Sequence, residues 1–90
     1  MVEQTCRIRN DVGLHARPAT DFTKRAEDFA ASVTIVKDGR EANGKSLLSL
    51  LQLDIQPGDA FTLRAEGEDA EAAVSALVGL VDELSAEAGT

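Results

Sequence analysis

The dipeptide Asp38-Gly39 constrains the fold of this chain more than any other feature of its sequence. Both residues tolerate a positive φ, and a two-residue turn of this kind joins neighbouring antiparallel strands. The segment before it, Ser32 to Lys37, is rich in β-branched residues and predicts a strand. The segment after it, Arg40 to Asn43, is short and polar, which predicts a strand at the edge of a sheet. The middle of the chain is therefore predicted to be an antiparallel hairpin.

Hydrophobic periodicity predicts the elements on either side of this hairpin. Alternating apolar and polar residues predict strands over Val2 to Arg9 and Ala60 to Glu66. Helical spacing predicts helices from about Ala16 to Asp28, over about two turns after Ser46, and from about Asp69 to Glu87. The order β-α-β-β-α-β-α, with helices on one face of an antiparallel sheet, predicts a single α+β two-layer domain over residues 1–90. The residues predicted to face inward are Val2, Cys6, Ile8, Ala19, Phe22, Ala26, Phe29, Phe61, Leu63, Ala65, Ala70, Ala73, Val74, Leu77, Leu80 or Val81, and Leu84.

The composition disfavours several classes of function. The 90 residues carry a formal net charge of −7 and have a pI near 4.5, whereas nucleic-acid-binding domains usually present a basic face. The same acidity disfavours docking on an anionic membrane, and no segment is long enough to span one. No signal peptide precedes the first predicted strand, so we expect a cytoplasmic protein. The single cysteine, Cys6, excludes an internal disulfide and a cysteine-based metal cluster, and its apolar surroundings favour a core residue over a reactive thiol.

The segment Gly13–Thr20 contains the only histidine of the sequence, at the point where a predicted loop becomes a helix. Pro18 suits the first helical turn, because the amide hydrogen it lacks would have no partner there. His15 is therefore predicted to lie at a helix N-terminus, where free N–H groups and the helix dipole favour an anion. A nucleophilic imidazole, the Arg17 guanidinium and the amides of Ala16 and Arg17 together suit a transiently bound phosphoryl group. A lone histidine before a helix is also compatible with a cap or a surface residue.

Ser46 precedes a leucine-rich segment that is predicted to be helical. Serine is a favoured N-cap residue, and such a cap stabilises a helix by about 1 kcal/mol. A phosphate on this serine would add about two negative charges at a helix N-terminus, where the helix dipole tolerates them. Ser46 is therefore expected to be a helix cap, and the same position is compatible with phosphorylation.

The segment 47–53 contains more leucines than one face of a short helix can hold. The leucines that helical spacing assigns to the inner face are Leu47, Leu50 and Leu53. Leu48 and Leu51 are then exposed, and an exposed apolar patch usually marks a binding surface. Thr20, Lys24 and Arg25, on the exposed side of the preceding helix, could frame the same docking surface. A leucine helix that lies wholly in the core and a solvated charged face are the alternatives.

Two motifs carry a resemblance to a known family. The first is the segment Gly13–Thr20, and the second, Asn43-Gly44-Lys45-Ser46-Leu47-Leu48, begins about thirty residues later. With the order of the elements and the Pro57-Gly58 turn before the last strand, they resemble the HPr phosphocarrier family of the bacterial phosphotransferase system over essentially the whole chain. The resemblance implies an open-faced sandwich of four antiparallel strands covered on one side by three helices.

The resemblance also implies a function and partners. His15 would accept a phosphoryl group on Nδ1 from enzyme I, which phosphoenolpyruvate charges, and pass it to a IIA domain. Arg17 would stabilise the phosphate. Ser46 would be a regulatory phosphosite, which an HPr kinase/phosphorylase would modify and a transcriptional regulator would recognise. On this basis we expect a monomeric, stoichiometric carrier that is not an enzyme and uses no cofactor or metal.

Three residues depart from the pattern of the family. Asp21 stands where an apolar residue is usual, Ser49 where glycine or alanine is common, and Val12 where serine is frequent. None of them alters His15 or Arg17, so they bear on partner choice more than on chemistry. A regulatory binding protein that acts mainly through Ser46 and a small-molecule-binding α+β module remain alternatives. The sequence does not distinguish a sugar-transport, a nitrogen-regulatory and a dihydroxyacetone-kinase branch.

Overall fold

The computed structural model describes residues 1–9, 13–14 and 16–86, which form an open sheet covered on one face by helices. Its strands and helices are β1 (Val2–Arg7), α1 (Ala16–Ala26), β2 (Ser32–Lys37), β3 (Arg40–Asn43), α2 (Leu47–Gln52), β4 (Ala60–Glu66) and α3 (Ala70–Ala86). The strands are ordered β1-β4-β2-β3, and all of their pairings are antiparallel. The predicted βαββαβα order and the α+β two-layer fold are confirmed. Val12, His15 and Glu87 lie outside the described residues.

The central hairpin forms as predicted. Asp38 and Gly39 have φ angles of 52° and 80°, the positive pair that a tight turn between twisted strands requires. The turn sets the register of β2 on β3, in which Lys37 lies opposite Arg40. Because β3 pairs only with β2 in the described sheet, its predicted place at an edge is also confirmed.

Strand β1 ends at Arg7, earlier than the predicted Arg9. The reason is that the next residue, Ile8, bonds to the turn that precedes β4 and not to β4 itself. The amide of Ile8 donates to the carbonyl of Asp59 (3.2 Å), and the carbonyl of Ile8 accepts from Gly58 (2.7 Å). The amide of Arg9 donates a hydrogen bond to the Ser85 hydroxyl at the end of α3 (3.0 Å). The last two residues of the predicted strand therefore join the surrounding loops.

The edge position of β1 also limits how deeply its inner face is buried. Val2 and Cys6, which are predicted to face inward, are only half-buried, and Gln4 between them is exposed. Burial raises the pKa of the Cys6 thiol to about 11, and the charge of Asp82 adds to the effect. Cys6 is therefore a protonated side chain of low reactivity at neutral pH. The expectation of a packing residue holds, but the burial is partial.

Helix α1 ends at Ala26 and not at Asp28 because its last turn tightens. The amide of Asp28 donates to the carbonyl of Arg25 (3.1 Å) and that of Phe29 to Ala26 (3.2 Å), so both bonds span three residues, as in a 3₁₀ turn. Phe29 is displaced from the predicted inner face of the helix and is half-buried. It packs against a second, smaller cluster beside α3.

The core lies between the sheet and the helices. Helix α3 contacts β1 and β4, α2 contacts β3, and α1 packs between the other two helices. Val81 is buried and Leu80 is half-buried, which settles the alternative left open for the third helix. None of the described helices has the length and apolar character that crossing a membrane would need. The largest fully buried side chains are Phe22, Phe61, Ile8, Leu14, Ile35, Leu50, Ile55, Leu63, Leu77 and Val81.

Candidate functional site

The two residues before His15 are fixed against the segment that follows α2. Gly13 is buried with a φ of 68°, and a Cβ added to it would lie 2.1 Å from the carbonyl oxygen of Ile55. Leu14 is fully buried, and its amide donates to the same carbonyl (3.0 Å). Only glycine fits this close approach at a positive φ, which explains the first residue of the motif. His15 itself lies outside the described residues, so its role stays a prediction.

Helix α1 begins at Ala16, directly after the histidine. Arg17 is exposed, Pro18 lies in the first turn as predicted, and that turn contains no acidic residue. The amides of Ala16 and Arg17 belong to the first turn, whose N–H groups have no intrahelical acceptor. This end of α1 therefore combines an exposed guanidinium with the positive end of a helix dipole.

The predicted cap of α2 is confirmed. Ser46 has an extended backbone (φ −114°, ψ 114°), and its Oγ accepts a hydrogen bond from the amide of Ser49 (3.3 Å). The Ser46 carbonyl accepts the first helical bond, from the amide of Leu50 (3.0 Å). The Ser46 side chain is half-buried, so its hydroxyl lies at the surface end of the helix.

The residues before Ser46 each have a packing role. A Cβ on Gly44 would lie 2.5 Å from Cγ1 of Val33, so this position has no room for a side chain. The Asn43 side chain accepts from the amide of Lys45 (2.9 Å), and the Lys45 ammonium donates to the carbonyl of Phe29 (2.6 Å). The second motif therefore holds the start of α2 against β2 and the end of α1, independently of any phosphorylation.

The leucines of α2 divide between core and surface. Leu50 and Leu53 are buried and Leu51 is half-buried against the core, whereas Leu48 is 69% exposed. The prediction that Leu47 faces inward is wrong, since it is 38% exposed. Side chains lean toward the helix N-terminus, so that of the first helical residue projects beyond the packed part of α2. Its position directly after the cap was the signal for this exposure.

The polar candidates of the docking surface lie on the neighbouring helix. Lys24 is exposed, Thr20 is half-buried, and α1 packs against α2. Asp21 is half-buried beside Thr20, which puts a carboxylate on the same helix. Lys24 and Arg25 also lie in the last turn of α1, where cations complement the helix dipole. The adjacent helices α1 and α2 thus carry Arg17, Thr20, Lys24, Leu47 and Leu48.

Two acidic side chains, Asp59 and Asp69, tie distant segments together through contacts that the sequence did not predict. The Asp69 carboxylate accepts from the amides of Ala30 (2.9 Å) and Ala31 (2.8 Å), which joins the start of α3 to the loop after α1. Asp59 pairs with Lys37 (2.8 Å) and joins the turn before β4 to β2. The hydrogen bonds that each carboxylate accepts lower its pKa. Their partners are far away in the chain, so no local pattern could have predicted them.

An open antiparallel sheet with helices on one face, and an exposed arginine in the first turn of α1, define a class of small α+β domains that can hold a phosphoryl group beside a helix. A family model described as PTS HPr component phosphorylation site matches residues 2–83. The chain belongs to the HPr phosphocarrier family of the phosphotransferase system.

Several relatives cover nearly the whole chain. HPr of Vibrio cholerae is 42% identical over 84 residues, which are 93% of this chain and 99% of the relative. The HPr-like protein Crh of Bacillus subtilis is 40% identical over 92% of this chain and 98% of its own. NPr of Shewanella violacea is 42% identical over 90% of this chain and 89% of its own. HPr, Crh and NPr relatives therefore have similar sequence identities to this chain.

The fold also matches solved structures of the family. HPr of Thermoanaerobacter tengcongensis has a TM-score of 0.93 at 39% identity, over 97% of this chain and 98% of that chain. A dimer of HPr from the same organism has a TM-score of 0.74 at 40% identity, over 92% and 95%. Crystalline Crh of Bacillus subtilis, described as a dimer with a swapping domain, has a TM-score of 0.75 at 39% identity, over 93% and 97%. Dimers therefore occur among the solved structures of this family.

Proposed function

We propose that this protein relays a phosphoryl group through His15, from enzyme I to IIA domains, in sugar uptake or in a regulatory branch of the same system. The observation that carries the proposal is the match of a phosphorylation-site family over residues 2–83, a range that includes the only histidine of the chain. The exposed Arg17 and the first-turn amides of α1 support it. The protein is then a stoichiometric carrier with a transient phosphohistidine.

The chemistry needs little more than positioning and charge stabilisation. The lone pair of Nδ1 of His15 attacks phosphorus, and the bond from phosphorus to the donor's leaving atom breaks as the new N–P bond forms. The amides of Ala16 and Arg17 donate to the phosphoryl oxygens, and the Arg17 guanidinium adds a charge-assisted, bidentate contact. Onward transfer reverses the step, with the imidazole as the leaving group.

Partner proteins dock, in this proposal, on the surface formed by α1 and α2. Leu48 provides exposed apolar area and Leu51 its half-buried margin, while Thr20 and Lys24 provide polar contacts. A flat protein-docking surface suits a carrier, because each partner brings its own catalytic groups. The monomer is the form that docks, and the cytoplasm, where phosphoenolpyruvate is made, is the compartment in which it works.

A second candidate function, as a regulatory binding protein, rests on Ser46. Its hydroxyl is half-buried at the start of α2, next to the exposed Leu47 and Leu48. A phosphate there would put about two negative charges beside the apolar surface and change which partner binds. An HPr kinase/phosphorylase would add the group, and a transcriptional regulator would read it.

The relay is tested by reconstitution with purified enzyme I, phosphoenolpyruvate and a IIA domain. We expect one acid-labile, base-stable phosphate per protein chain, which leaves the carrier when the IIA domain is added. A phosphate that survives acid and is lost in base would indicate phosphoserine and would favour the regulatory function. No labelling by enzyme I in a correctly folded protein would contradict the relay.

A further inference from the structure

The segment 52–59, which links α2 to β4, is held by cationic side chains from three strands of the sheet. Each of them donates a hydrogen bond to a backbone carbonyl of the segment. The donor and acceptor residues are Arg7 of β1 and Gly58, Lys37 of β2 and Asp54 (2.9 Å), and Arg40 of β3 and Gln52 (2.6 Å). Hydrogen bonds from charged donors are stronger than neutral ones, so the sheet fixes the path of this segment.

Lys37 is the donor that acts on both sides of Ile55. Besides its bond to the carbonyl of Asp54, its ammonium pairs with the Asp59 carboxylate (2.8 Å). Oδ2 of Asp59 also accepts a hydrogen bond from the amide of Gln56 (2.9 Å). The Lys37 side chain is only 16% exposed, so solvent screens these contacts less than it would at the surface. Lys37 therefore holds the residue before Ile55 directly and the residue after it through Asp59.

Ile55 is the residue at which this segment supports the first motif. Its side chain is fully buried, and its carbonyl accepts the hydrogen bond from the amide of Leu14 (3.0 Å). The same oxygen would lie 2.1 Å from a Cβ on Gly13, so the two backbones are in close contact. Leu14 directly precedes His15 in the chain. A displacement of the Ile55 carbonyl would therefore displace the backbone that leads to the histidine.

We infer that Lys37 is a positioning residue for phosphoryl transfer through His15, and that it acts through Ile55. The inference rests on the proposed function and adds a residue that lies in neither of the two motifs. Efficient transfer needs the reacting atoms about 3–3.5 Å apart, and a misplacement of about 1 Å can slow a reaction about 100-fold. A cation that fixes the support of the loop before His15 can therefore affect the rate without contacting the phosphoryl group.

Arg7 and Arg40 do not combine these contacts. They hold the two ends of the segment, whereas Lys37 acts on the residues adjacent to Ile55. The alternative is that Lys37 only stabilises the fold, by joining β2 to the turn before β4. Its removal would then lower the unfolding temperature and leave the local exchange and transfer rates of the folded protein unchanged, so the two roles can be separated.

Hydrogen exchange tests the contact between segment 52–59 and the first motif. Lys37→Met removes both polar contacts of the ammonium and keeps most of the apolar stem of the side chain. We expect the Leu14 amide, followed by NMR, to exchange about tenfold faster in this variant, relative to the amide of Leu63 in the interior strand β4. A loss of global stability alone would not raise this ratio.

Steady-state kinetics of phosphorylation by enzyme I tests the effect on transfer. We expect Lys37→Met to lower kcat about tenfold and to leave KM unchanged, because the docking residues on α1 and α2 stay in place. Lys37→Arg, which keeps a cation for both acceptors, should restore most of kcat. Arg64→Met is the matched control, because it removes the ion pairs of a different strand cation and should retain the native kcat. Asp59→Ala breaks the link from Lys37 to Gln56 and should also lower kcat, so it replaces Lys37→Met if that variant does not fold.

The outcomes distinguish this inference from the function on which it rests. Native kcat and native Leu14 exchange in folded Lys37→Met would overturn the inference and leave the relay intact. An equal loss of kcat in Lys37→Met and Arg64→Met, or a rise in KM with native kcat, would overturn it as well. No phosphorylation of the native protein by enzyme I would contradict the proposed function, and the inference with it.

Discussion

At the scale of single residues, Asp69 connects the start of α3 to the loop after α1. Its carboxylate accepts hydrogen bonds from the amides of Ala30 and Ala31, and these bonds lower its pKa. Because the pKa is lower in the folded state, the stabilisation is present above the unfolded-state pKa of about 4. It is lost as the pH falls through the folded-state pKa.

We therefore expect the free energy of unfolding to fall on acidification below about pH 4 and to fall less in Asp69→Asn. The variant should also melt at a lower temperature at pH 7, since its amide replaces one acceptor oxygen by a donor. Urea unfolding between pH 7 and pH 2.5 measures both effects, with Glu71→Gln as the control. Asp59, whose pKa is lowered mainly by Lys37, should account for part of the pH dependence of unfolding free energy that remains in Asp69→Asn. Identical pH profiles for Asp69→Asn and the native protein would contradict this role.

Arg17 is the residue expected to stabilise the phosphoryl group. Arg17→Ala should slow phosphorylation of His15 by enzyme I about 100-fold, the usual effect of removing one charged or oriented donor from a transferring group. Arg17→Lys should recover part of the rate, because it keeps the charge and loses the bidentate geometry. Rapid-quench kinetics measures the rate, and Arg64→Ala on β4, away from α1 and α2, is the control. An unchanged rate in Arg17→Ala would exclude a phosphate contact.

At the scale of elements, the short helix α2 depends on its cap. Ser46→Ala should lower the free energy of unfolding by about 1 kcal/mol, because the amide of Ser49 loses its acceptor. Ser46→Asp keeps a good cap and should fold normally, while its charge weakens the binding of enzyme I. Urea unfolding and titration calorimetry separate the two effects. Equal enzyme I affinity for the native protein and Ser46→Asp would argue against regulation at this position.

The two kinds of leucine in α2 should respond differently to truncation. Leu50→Ala removes a fully buried side chain and should cost about 2–5 kcal/mol of unfolding free energy. Leu48→Ala removes an exposed one and should cost less than about 0.5 kcal/mol, yet weaken binding to enzyme I. Calorimetry with enzyme I measures the affinity. Full affinity in Leu48→Ala would place the docking surface elsewhere.

Local patterns predicted most of the elements. The bounds of β2, β3 and β4 agree with the sequence because turn residues delimit them, including Pro57 and Gly58 in the turn whose Asp59 amide donates to Gln56 (3.0 Å). The ends of β1 and α1 differ because contacts with distant segments determine them. At the end of β1, for example, the amide of Arg9 donates to the hydroxyl of Ser85, which is 76 residues further along the chain.

At the scale of the whole molecule, the sheet separates two surfaces. One edge, at β3, is next to α2 and the proposed docking residues, and the other is β1, where Glu3 pairs with Arg64 of β4 (3.0 Å). The sequence predicted a hairpin, and with it the edge strand β3. It did not predict that β1 forms the other edge, because strand order depends on packing between distant segments. The half-burial of Val2 and Cys6 follows from that order.

The candidate site was predictable from sequence to the extent that its signals are local. The cap at Ser46 and the exposure of Leu48 follow from residues within one turn. The constraint on Gly13 could not be predicted, because it arises from the carbonyl of Ile55, which lies beyond α2. Residues that hold the loop before α1 in place are therefore best found from the fold.

Mass spectrometry of the protein after incubation with enzyme I and phosphoenolpyruvate tests the relay most directly. The native protein should gain a single phosphate, located on His15 by fragmentation at neutral pH, and His15→Ala, with its fold verified by thermal unfolding, should gain none. A phosphate of the same acid lability on His15→Ala would contradict the relay through this histidine.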